Sequence, residues 1–420
     1  MNLRHLRFLA IVALAAASAT AQEKPPEQTI VLRTSFALDG RGHALKHHSI
    51  VVQGEKIVAI DSETAAPRPG SATYDLRGLT VLPGWIDAHV HITYHFGPNG
   101  RALDKDETPE QAAYGAAANA YATLLAGFTT VQSIGDPADK PLRDAIAAGG
   151  IAGPRILTSL EPMSKETGTP EQIRKFVQQL AAQGANLVKI FASKSIREGG
   201  GITMTSAQLE AACGEAKAHG LRSLVHAHSS ESIRASVLAG CSEIEHGIFA
   251  TDDDLRLMSE HGVYFDPQAG LIFHNYFDNK AKFLGIENYT EEGFAAMEKA
   301  MPLALDVVHR ATAMKDLHVI FGTDAVAGAH GRNAEEFIYR VRDAGQNSMD
   351  AMVSANSLAA QSMNLQDTIG ALAPGLEADI IALDGDPLTD ITAVRRVVFV
   401  MKGGKVYKSP AFHSAAESHH

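Results

Sequence analysis

Histidines occur as closely spaced pairs in this chain of 420 residues, and two of the pairs follow apolar runs. His89 and His91 are separated by one residue, as are His226 and His228. In a β-strand, residues two positions apart point to the same face, so each pair presents two imidazole rings to one point. Neutral imidazole is a common zinc ligand. Because the first pair also follows a Pro-Gly turn and an apolar segment, we predict that it binds a metal ion.

Three more side chains that can bind metals, Lys189, His246 and Asp324, lie in or directly after other apolar segments. An ammonium group is costly to bury, so Lys189 either extends its amine towards solvent or loses its charge. A lysine that reacts with CO₂ becomes an anionic carbamate, which removes the buried cation and supplies an oxygen ligand. We favour this second interpretation, because the lysine, the aspartate and the histidines then complete a site for two metal ions.

Such a site requires a fold that brings strand ends together. The middle of the chain alternates short apolar segments with amphipathic stretches, which is typical of parallel βα units. Helices are predicted at residues 171–184, 206–220 and 230–240. Strands are predicted near residues 81–89, 129–134, 155–158, 187–191, 223–228, 243–246, 263–266 and 318–323. We therefore predict an α/β fold, a (β/α)₈ TIM barrel with its active site at the carboxyl ends of the strands. A doubly wound sheet is the alternative, but no G-x-G-x-x-G follows the first strand.

The two ends of the chain differ from its middle. Residues 22–80 and 366–410 contain short strand-like segments separated by turn signals. We predict that they combine into one small β-sandwich beside the barrel, which would span residues 81–365. Residues 411–420 are small and polar, which is typical of a flexible tail.

Residues 1–21 have the features of a secretory signal peptide. Arg4 and Arg7 give a positive start, residues 8–17 are apolar, and Ala19-Thr20-Ala21 is a cleavage motif. We predict cleavage before Gln22 and export to the periplasm or the exterior. No membrane association is expected after cleavage.

Composition restricts the class of partner. The chain is 45% hydrophobic, which is enough for a large core, and it carries 37 basic against 48 acidic residues. An acidic chain without a basic stripe argues against nucleic acid as a partner. We expect a small-molecule amide or peptide substrate, and a homo-oligomer because large barrels often assemble.

The chain contains two cysteines, Cys213 and Cys241. The first falls in a predicted helix and the second just before a predicted strand, and no other cysteine lies near either. We predict two buried thiols rather than a disulfide, and we exclude both from the metal site.

Together these motifs resemble the amidohydrolase superfamily, and most closely its branch of imidazolonepropionase-like proteins, Xaa-Pro dipeptidases and ochratoxin-hydrolysing amidases. The resemblance extends from residue 28 to residue 407. It rests on residues 81–91, 127–131, 153–155, 188–190, 226–228, 244–247, 322–324 and 375–379. One departure is Gln132-Ser133, where relatives often carry Arg-Asp. That pair is not a metal ligand, so the core chemistry is expected to be intact.

The resemblance implies two divalent metal ions, expected to be zinc. The implied ligands are His89, His91 and Asp324 for the first metal, His226 and His246 for the second with His228 as the alternative to His226, and a carboxylated Lys189 bridging both.

The resemblance also implies a mechanism. A hydroxide bridging the two metals would attack the carbonyl carbon, and one metal would polarise the carbonyl oxygen. Asp324 would accept the proton of the hydroxide and return it to the leaving nitrogen. His246 or His228 would donate a hydrogen bond to the carbonyl oxygen.

Loops that follow barrel strands shape substrate specificity. The loop after the fourth strand is basic and rich in glycine, so we expect it to bind a carboxylate, with arginine favoured for two-pronged contacts. The candidate substrate contacts, each of which could also be an ordinary loop residue, are Tyr94, His95, Lys194, Arg197, His274, Tyr276, His330 and Arg332.

We therefore expect a metal-dependent hydrolase that cleaves an amide or peptide bond rather than an ester. A carboxypeptidase-like or dipeptidase-like activity on N-acyl amino acids, such as X-Pro dipeptides or ochratoxin A, fits best. The alternatives are a hydrolase of cyclic amides such as imidazolones or lactams and, from another class, a non-catalytic barrel that binds a metal or a ligand.

Overall fold

The computed structural model describes residues 28–62, 70–102 and 106–410. The predicted signal peptide, 1–21, and the predicted tail, 411–420, lie outside these residues. The strands are β1 Thr29–Leu38, β2 Ala44–Gln53, β3 Lys56–Ser62, β4 Ala72–Asp75, β5 Thr80–Pro83, β6 Trp85–Val90, β7 Phe128–Ser133, β8 Arg155–Thr158, β9 Leu187–Phe191, β10 Arg222–Ala227, β11 Glu243–His246, β12 Tyr264–Asp266, β13 Ile380–Leu383, β14 Val397–Lys402 and β15 Lys405–Lys408. The α-helices are α1 Pro109–Leu125, α2 Asp139–Ala147, α3 Pro170–Gln183, α4 Ser206–Ala218, α5 Ser230–Leu238, α6 Asp252–Glu260, α7 Leu271–Asp278, α8 Lys280–Phe283, α9 Glu291–Ala313, α10 Glu335–Ile338, α11 Ser348–Ser354 and α12 Ser357–Ser362.

Strands from both chain ends form one sheet. Its order is β15-β14-β13-β5-β1-β2-β3, and β4 also pairs with β1. β13, from the late part of the chain, runs antiparallel to β5 from the early part. The sheet covers an apolar core that includes Leu32, Ile50 and Phe399. We predicted a sandwich from these two end regions, whereas the hydrogen bonds join all eight strands into a single sheet.

The middle of the chain has a TIM-barrel-like α/β arrangement. β6, β7 and β8 form one parallel sheet, and β9 to β12 form another. Helices alternate with these strands. Backbone hydrogen bonds also join the two sheets at one side, because the Asn186 amide donates to the Thr158 carbonyl (2.8 Å) and the Met163 amide to the Lys189 carbonyl (2.9 Å).

Two of the predicted strands differ from the structure. The predicted strand at 81–89 is divided at Gly84: β5 belongs to the sheet of the chain ends and β6 to the barrel-like part. A Cβ at Gly84 would collide with Thr129, so this close approach requires glycine. The predicted strand at 318–323 is not a regular strand, because Arg340 donates to the Ile320 carbonyl (2.8 Å) in place of a neighbouring strand. This segment still contacts both neighbours through backbone hydrogen bonds, such as that from the Ala88 amide to the Phe321 carbonyl (2.9 Å).

The three helices predicted from the sequence correspond to α3, α4 and α5, with bounds that differ by one or two residues. In α3, Thr169 caps the first turn reciprocally with Gln172 and Pro170 occupies the first position. Gly184 ends it with a φ of 86°, a conformation that glycine adopts without strain. Within the residues that the structure describes, no helix combines the length and the apolar character that a membrane span requires.

The prediction of two free thiols is wrong. Cys213 of α4 and Cys241, just ahead of β11, form a disulfide with a Cα–Cα distance of 5.0 Å. Both lie in the same apolar core, against the β9–β12 sheet. Residues 28 positions apart meet because the helices that follow neighbouring parallel strands pack side by side.

Candidate active site

The predicted metal-binding side chains line one cavity of about 1000 Å³ beside the carboxyl ends of the barrel-like strands. Lys189 lies within β9, and His89 and His226 are each the fifth of six residues, in β6 and β10 respectively. His246 is the last residue of β11, and His91 and His228 directly follow the ends of β6 and β10. The cavity thus brings together all of the predicted ligands: His89, His91, Lys189, His226, His228, His246 and Asp324.

Three of these residues already have the mutual geometry of a metal site. The Asp324 Oδ1 atom lies 3.3 Å from His89 Nε2 and 3.1 Å from His91 Nε2. One ligand atom from each residue lies within 4.8 Å of the others. This trio is the set predicted for the first metal.

The other three histidines form a second cluster beside the first. The ring centroids of His226 and His246 are 4.7 Å apart, and those of His228 and His246 are 5.0 Å apart. Burial lowers the pKa of His226 and His246 well below the ordinary value, and it lowers that of His228 to about 3. These imidazoles are therefore neutral at physiological pH and keep a lone pair for a metal.

Lys189 is 1% exposed and interacts electrostatically with histidines of both clusters. Burial lowers the pKa of its amine, while the carboxylates of Glu245 and Asp324 act in the opposite direction. Burial raises the pKa of Asp324, but His89 and His91 outweigh it and hold that pKa below the ordinary value. An amine whose pKa is lowered by burial loses its proton more readily, and the neutral amine is the form that can be converted into an anionic ligand.

Two of the site residues have unusual backbone conformations. His246 has a φ of 66° and Asp324 a φ of 54°, both in the left-handed region. A residue other than glycine is held there at a cost of roughly 1–3 kcal/mol, and such conformations cluster at active sites. Both residues stand where the chain turns out of a barrel segment into a loop.

Comparison with known proteins places this site in a family. The sequence matches the model of the amidohydrolase family over residues 80–407. The chain belongs to the amidohydrolase family. This confirms the superfamily predicted from the motifs, and the chain is a hydrolase that acts on carbon–nitrogen bonds.

Several individual relatives cover nearly the whole of this amidohydrolase. Ochratoxinase of Aspergillus niger is 23% identical over 430 residues, covering 90% of this chain and 87% of that protein. The crystal structure of a Xaa-Pro dipeptidase with methionine in its active site is 29% identical with a TM-score of 0.82, covering 91% of this chain and 100% of the other. A prolidase complexed with N-methylphosphonate-L-proline is 27% identical with a TM-score of 0.81, with the same coverage.

A carboxylate that the sequence analysis did not single out supports the first histidine of this amidohydrolase. Glu245 Oε2 lies 2.5 Å from His89 Nδ1, and the Gln268 amide donates to the same oxygen (2.9 Å). A carboxylate on Nδ1 fixes the ring and leaves Nε2 free to bind a metal. The available signal was the alternation of β11, in which Glu243 and Glu245 share a face.

Four of the predicted substrate contacts line the cavity: Tyr94, His95, Arg197 and Tyr276. Arg197 lies in a short 3₁₀ turn, Ile196–Glu198. Its guanidinium group lies 3.9 Å from the centre of the Tyr289 ring, and its Nε donates to Asn288 (2.7 Å). Among the described residues no carboxylate pairs with Arg197, so its charge is available to a ligand.

The other four predicted contacts do not line the cavity. The side chains of two of them, Lys194 and His274, are directed away from it. The Lys194 side chain is exposed, and this residue approaches the site only through its carbonyl, 3.3 Å from His226 Nε2. The His274 ring stacks on Tyr339 with centroids 4.5 Å apart. α7 directs His274 away from the cavity, whereas Tyr276, two positions later, faces it.

The remaining two are structural. His330 Nε2 lies 3.0 Å from the His91 carbonyl oxygen, so His330 supports the backbone of a predicted metal ligand. Arg332 forms ion pairs with Asp278 (3.3 Å) and Glu335 (2.9 Å). Its charge is therefore already satisfied outside the cavity.

Proposed function

We propose that this amidohydrolase uses two divalent metal ions, zinc in the first instance, to cleave the amide bond of a small linear substrate that carries a carboxylate. The substrate class is that of dipeptides and N-acyl amino acids, including X-Pro dipeptides and ochratoxin A. The observation that carries the proposal is a single cavity that contains both the metal-ligand side chains and an arginine without a carboxylate partner.

The side chains fit such metals. Nδ1 of His91 and of His228 are buried without a hydrogen-bond partner, and the histidines around them are neutral. His89, His91 and Asp324 would hold one ion, and His226 with His246 the other. We propose that Lys189, as a carbamate, contacts both. When bound, the two ions would polarise the scissile carbonyl and lower the pKa of a water molecule.

The protein's own groups then supply proton transfer and orientation. Asp324, whose pKa is held low by His89 and His91, is ionised and can accept a proton from the attacking water. The same carboxyl group returns that proton to the leaving nitrogen. His228 or His246 would donate a hydrogen bond to the carbonyl oxygen.

Arg197 gives the substrate its orientation. A guanidinium group binds a carboxylate through two parallel hydrogen bonds, and packing against an aromatic ring restricts its movement before binding. Ile248, Phe273 and Met297 line the same wall, which suits an apolar or aromatic side chain next to the carboxylate. The resemblance to a dipeptidase and to ochratoxinase supports this class.

A first experiment combines elemental analysis of the purified chain with a panel of X-Pro dipeptides, N-acyl amino acids, ochratoxin A and cyclic amides. We expect about two metal ions per chain and turnover of a linear class. Asp324→Asn should keep its metals in part and lose nearly all turnover. A single metal per chain would contradict the bridging role of Lys189, and turnover of cyclic amides alone would favour the alternative hydrolase.

A second experiment tests Arg197. Arg197→Met should lower kcat/KM by about 100-fold for a dipeptide, which corresponds to a charge-assisted pair of roughly 3 kcal/mol, and should scarcely affect the C-terminal amide of the same dipeptide. Arg256→Met, at an exposed position on α6, is the matched control. Equal losses on both substrates would contradict carboxylate recognition.

We also propose that the barrel-like strands close into a complete (β/α)₈ barrel and that the mature protein is exported and oligomeric. The disulfide supports an oxidising compartment. Sequencing the amino terminus of the mature protein should find Gln22, and light scattering of the same sample would give its oligomeric state.

A further inference from the structure

A second charged side chain without an oppositely charged partner among the described residues also lines the cavity, and its charge is opposite in sign to that of Arg197. Asp136 follows β7 and lines the cavity. One of its oxygens accepts from the Thr93 hydroxyl (2.7 Å) and the other from the Ala138 amide (2.8 Å). Both donors are neutral, and no lysine or arginine of the described residues pairs with Asp136. Its negative charge is therefore uncompensated.

The nearby carboxylate of Glu107 is already engaged. His95 Nε2 lies 2.8 Å from Glu107 Oε1, and His95 Nδ1 lies 2.7 Å from the Thr93 carbonyl oxygen. A Cβ at Gly115 would collide with the His95 ring, so α1 packs tightly against this pair and holds it in place. Glu287 also lines the cavity, but its side chain is exposed, whereas that of Asp136 is partly buried. Asp136 is consequently the partly buried carboxylate of the lining that remains open to a cation.

The two uncompensated charges have separate supports. Arg197 is held by Asn288 and Tyr289, whereas Asp136 is held by the segments that follow β6 and β7. The metal-ligand residues line the same cavity. A cavity that offers a cation, a reactive centre and an anion matches a substrate with a carboxylate, an amide bond and an ammonium group.

We propose that Asp136 binds the free amino group of the substrate, an inference that rests on the proposed function. The enzyme therefore selects dipeptides with a free amino group over N-acyl amino acids. The carboxylate of such a dipeptide binds Arg197, and its ammonium group binds Asp136. N-acyl amino acids such as ochratoxin A satisfy only the first of these contacts.

Asp136 also has a structural role, which determines the choice of variant. Its side chain accepts from the Ala138 amide at the start of α2. An asparagine keeps this acceptor and removes the charge, so Asp136→Asn separates recognition from folding. Asp144→Asn is the matched control, because Asp144 is an exposed aspartate of α2 that pairs with Lys140.

The test compares Ala-Phe with propionyl-Phe, which differ by the ammonium group alone. For the metal-loaded wild type we expect kcat/KM to be about tenfold or more higher for Ala-Phe, as for one charge-assisted hydrogen bond. Asp136→Asn should abolish this preference by raising KM for Ala-Phe, and it should leave propionyl-Phe unchanged. Asp144→Asn should behave as the wild type.

The outcomes separate the two levels of the proposal. If the wild type cleaves both compounds equally well, or if Asp136→Asn keeps the preference or lowers both activities alike, the role of Asp136 is wrong and the proposed function stands. If the metal-loaded wild type cleaves neither compound nor any other linear amide, the proposed function is wrong and the inference falls with it.

Discussion

The disulfide between Cys213 and Cys241 offers a quantitative test of the fold around the site. It closes a loop with a sequence separation of 28 residues and ties α4 to the start of β11. The chain-entropy relation for a loop of this length gives about 12 cal/mol/K, which is about 3.6 kcal/mol at 25 °C. Removing the bond should lower the free energy of unfolding by about that amount, a large part of a typical domain's stability.

The measurement is urea unfolding of the oxidised wild type, the wild type reduced under denaturing conditions and refolded, and the variant C213A/C241A. The reduced protein keeps both sulfur atoms, so its loss of stability reports the cross-link alone. The variant adds the smaller cost of two vacated positions in a buried core. Equal midpoints for the oxidised and reduced wild type would refute the reasoning, and a loss confined to C213A/C241A would assign the effect to packing instead.

Two further predictions concern buried carboxylates. Glu245→Gln should weaken zinc binding by about 10–100-fold, measured by competition with a chelator, because His89 loses its anionic partner; an unchanged affinity would contradict that support. Burial raises the pKa of Asp139 from 3.8 to about 7, so the folded state retains a proton that the unfolded state releases and stability falls as pH rises through this interval. Asp139→Asn should remove that loss of stability. Its free energy of unfolding in urea, relative to that of the wild type, should rise by up to about 4 kcal/mol from pH 4 to pH 8. A difference between variant and wild type that does not change with pH would contradict this reasoning.

The sequence was sufficient to predict which side chains meet in this cavity because their positions follow from two local rules. Strand periodicity places His89 with His91 on one side, and the carboxyl ends of parallel strands meet. Neither rule requires knowing which distant segments of the chain a residue contacts. The same reasoning placed Arg197 in a loop over the site, and the structure brings it to the cavity wall.

Features that depend on partners from distant segments could not be predicted in this way. The pairing of Cys213 with Cys241 depends on how two helices pack, which no spacing reveals. The support of His89 by Glu245 depends on the register of β11 against its neighbours. His274 and Arg332 have suitable residue types in segments that follow the predicted strands, yet other groups of the protein already engage them.

The irregular segment at 318–323 explains how the proposed proton acceptor is positioned. Arg340, which is fully buried, donates a hydrogen bond to the Ile320 carbonyl. Gly322 lies so close to Asp266 that a Cβ at this position would collide with the Asp266 carboxylate. Buried groups, together with the hydrogen bond from the Asp324 amide to the His89 carbonyl (2.8 Å), therefore fix the chain on the N-terminal side of Asp324. The hydrogen bond from the His91 amide to the Ala325 carbonyl (2.8 Å) fixes it on the C-terminal side. A left-handed aspartate can persist only where its surroundings determine it this strongly. The loss of regular strand geometry and the local backbone cost at Asp324 are thus two consequences of one requirement, which is to hold a single carboxylate against two histidine nitrogens.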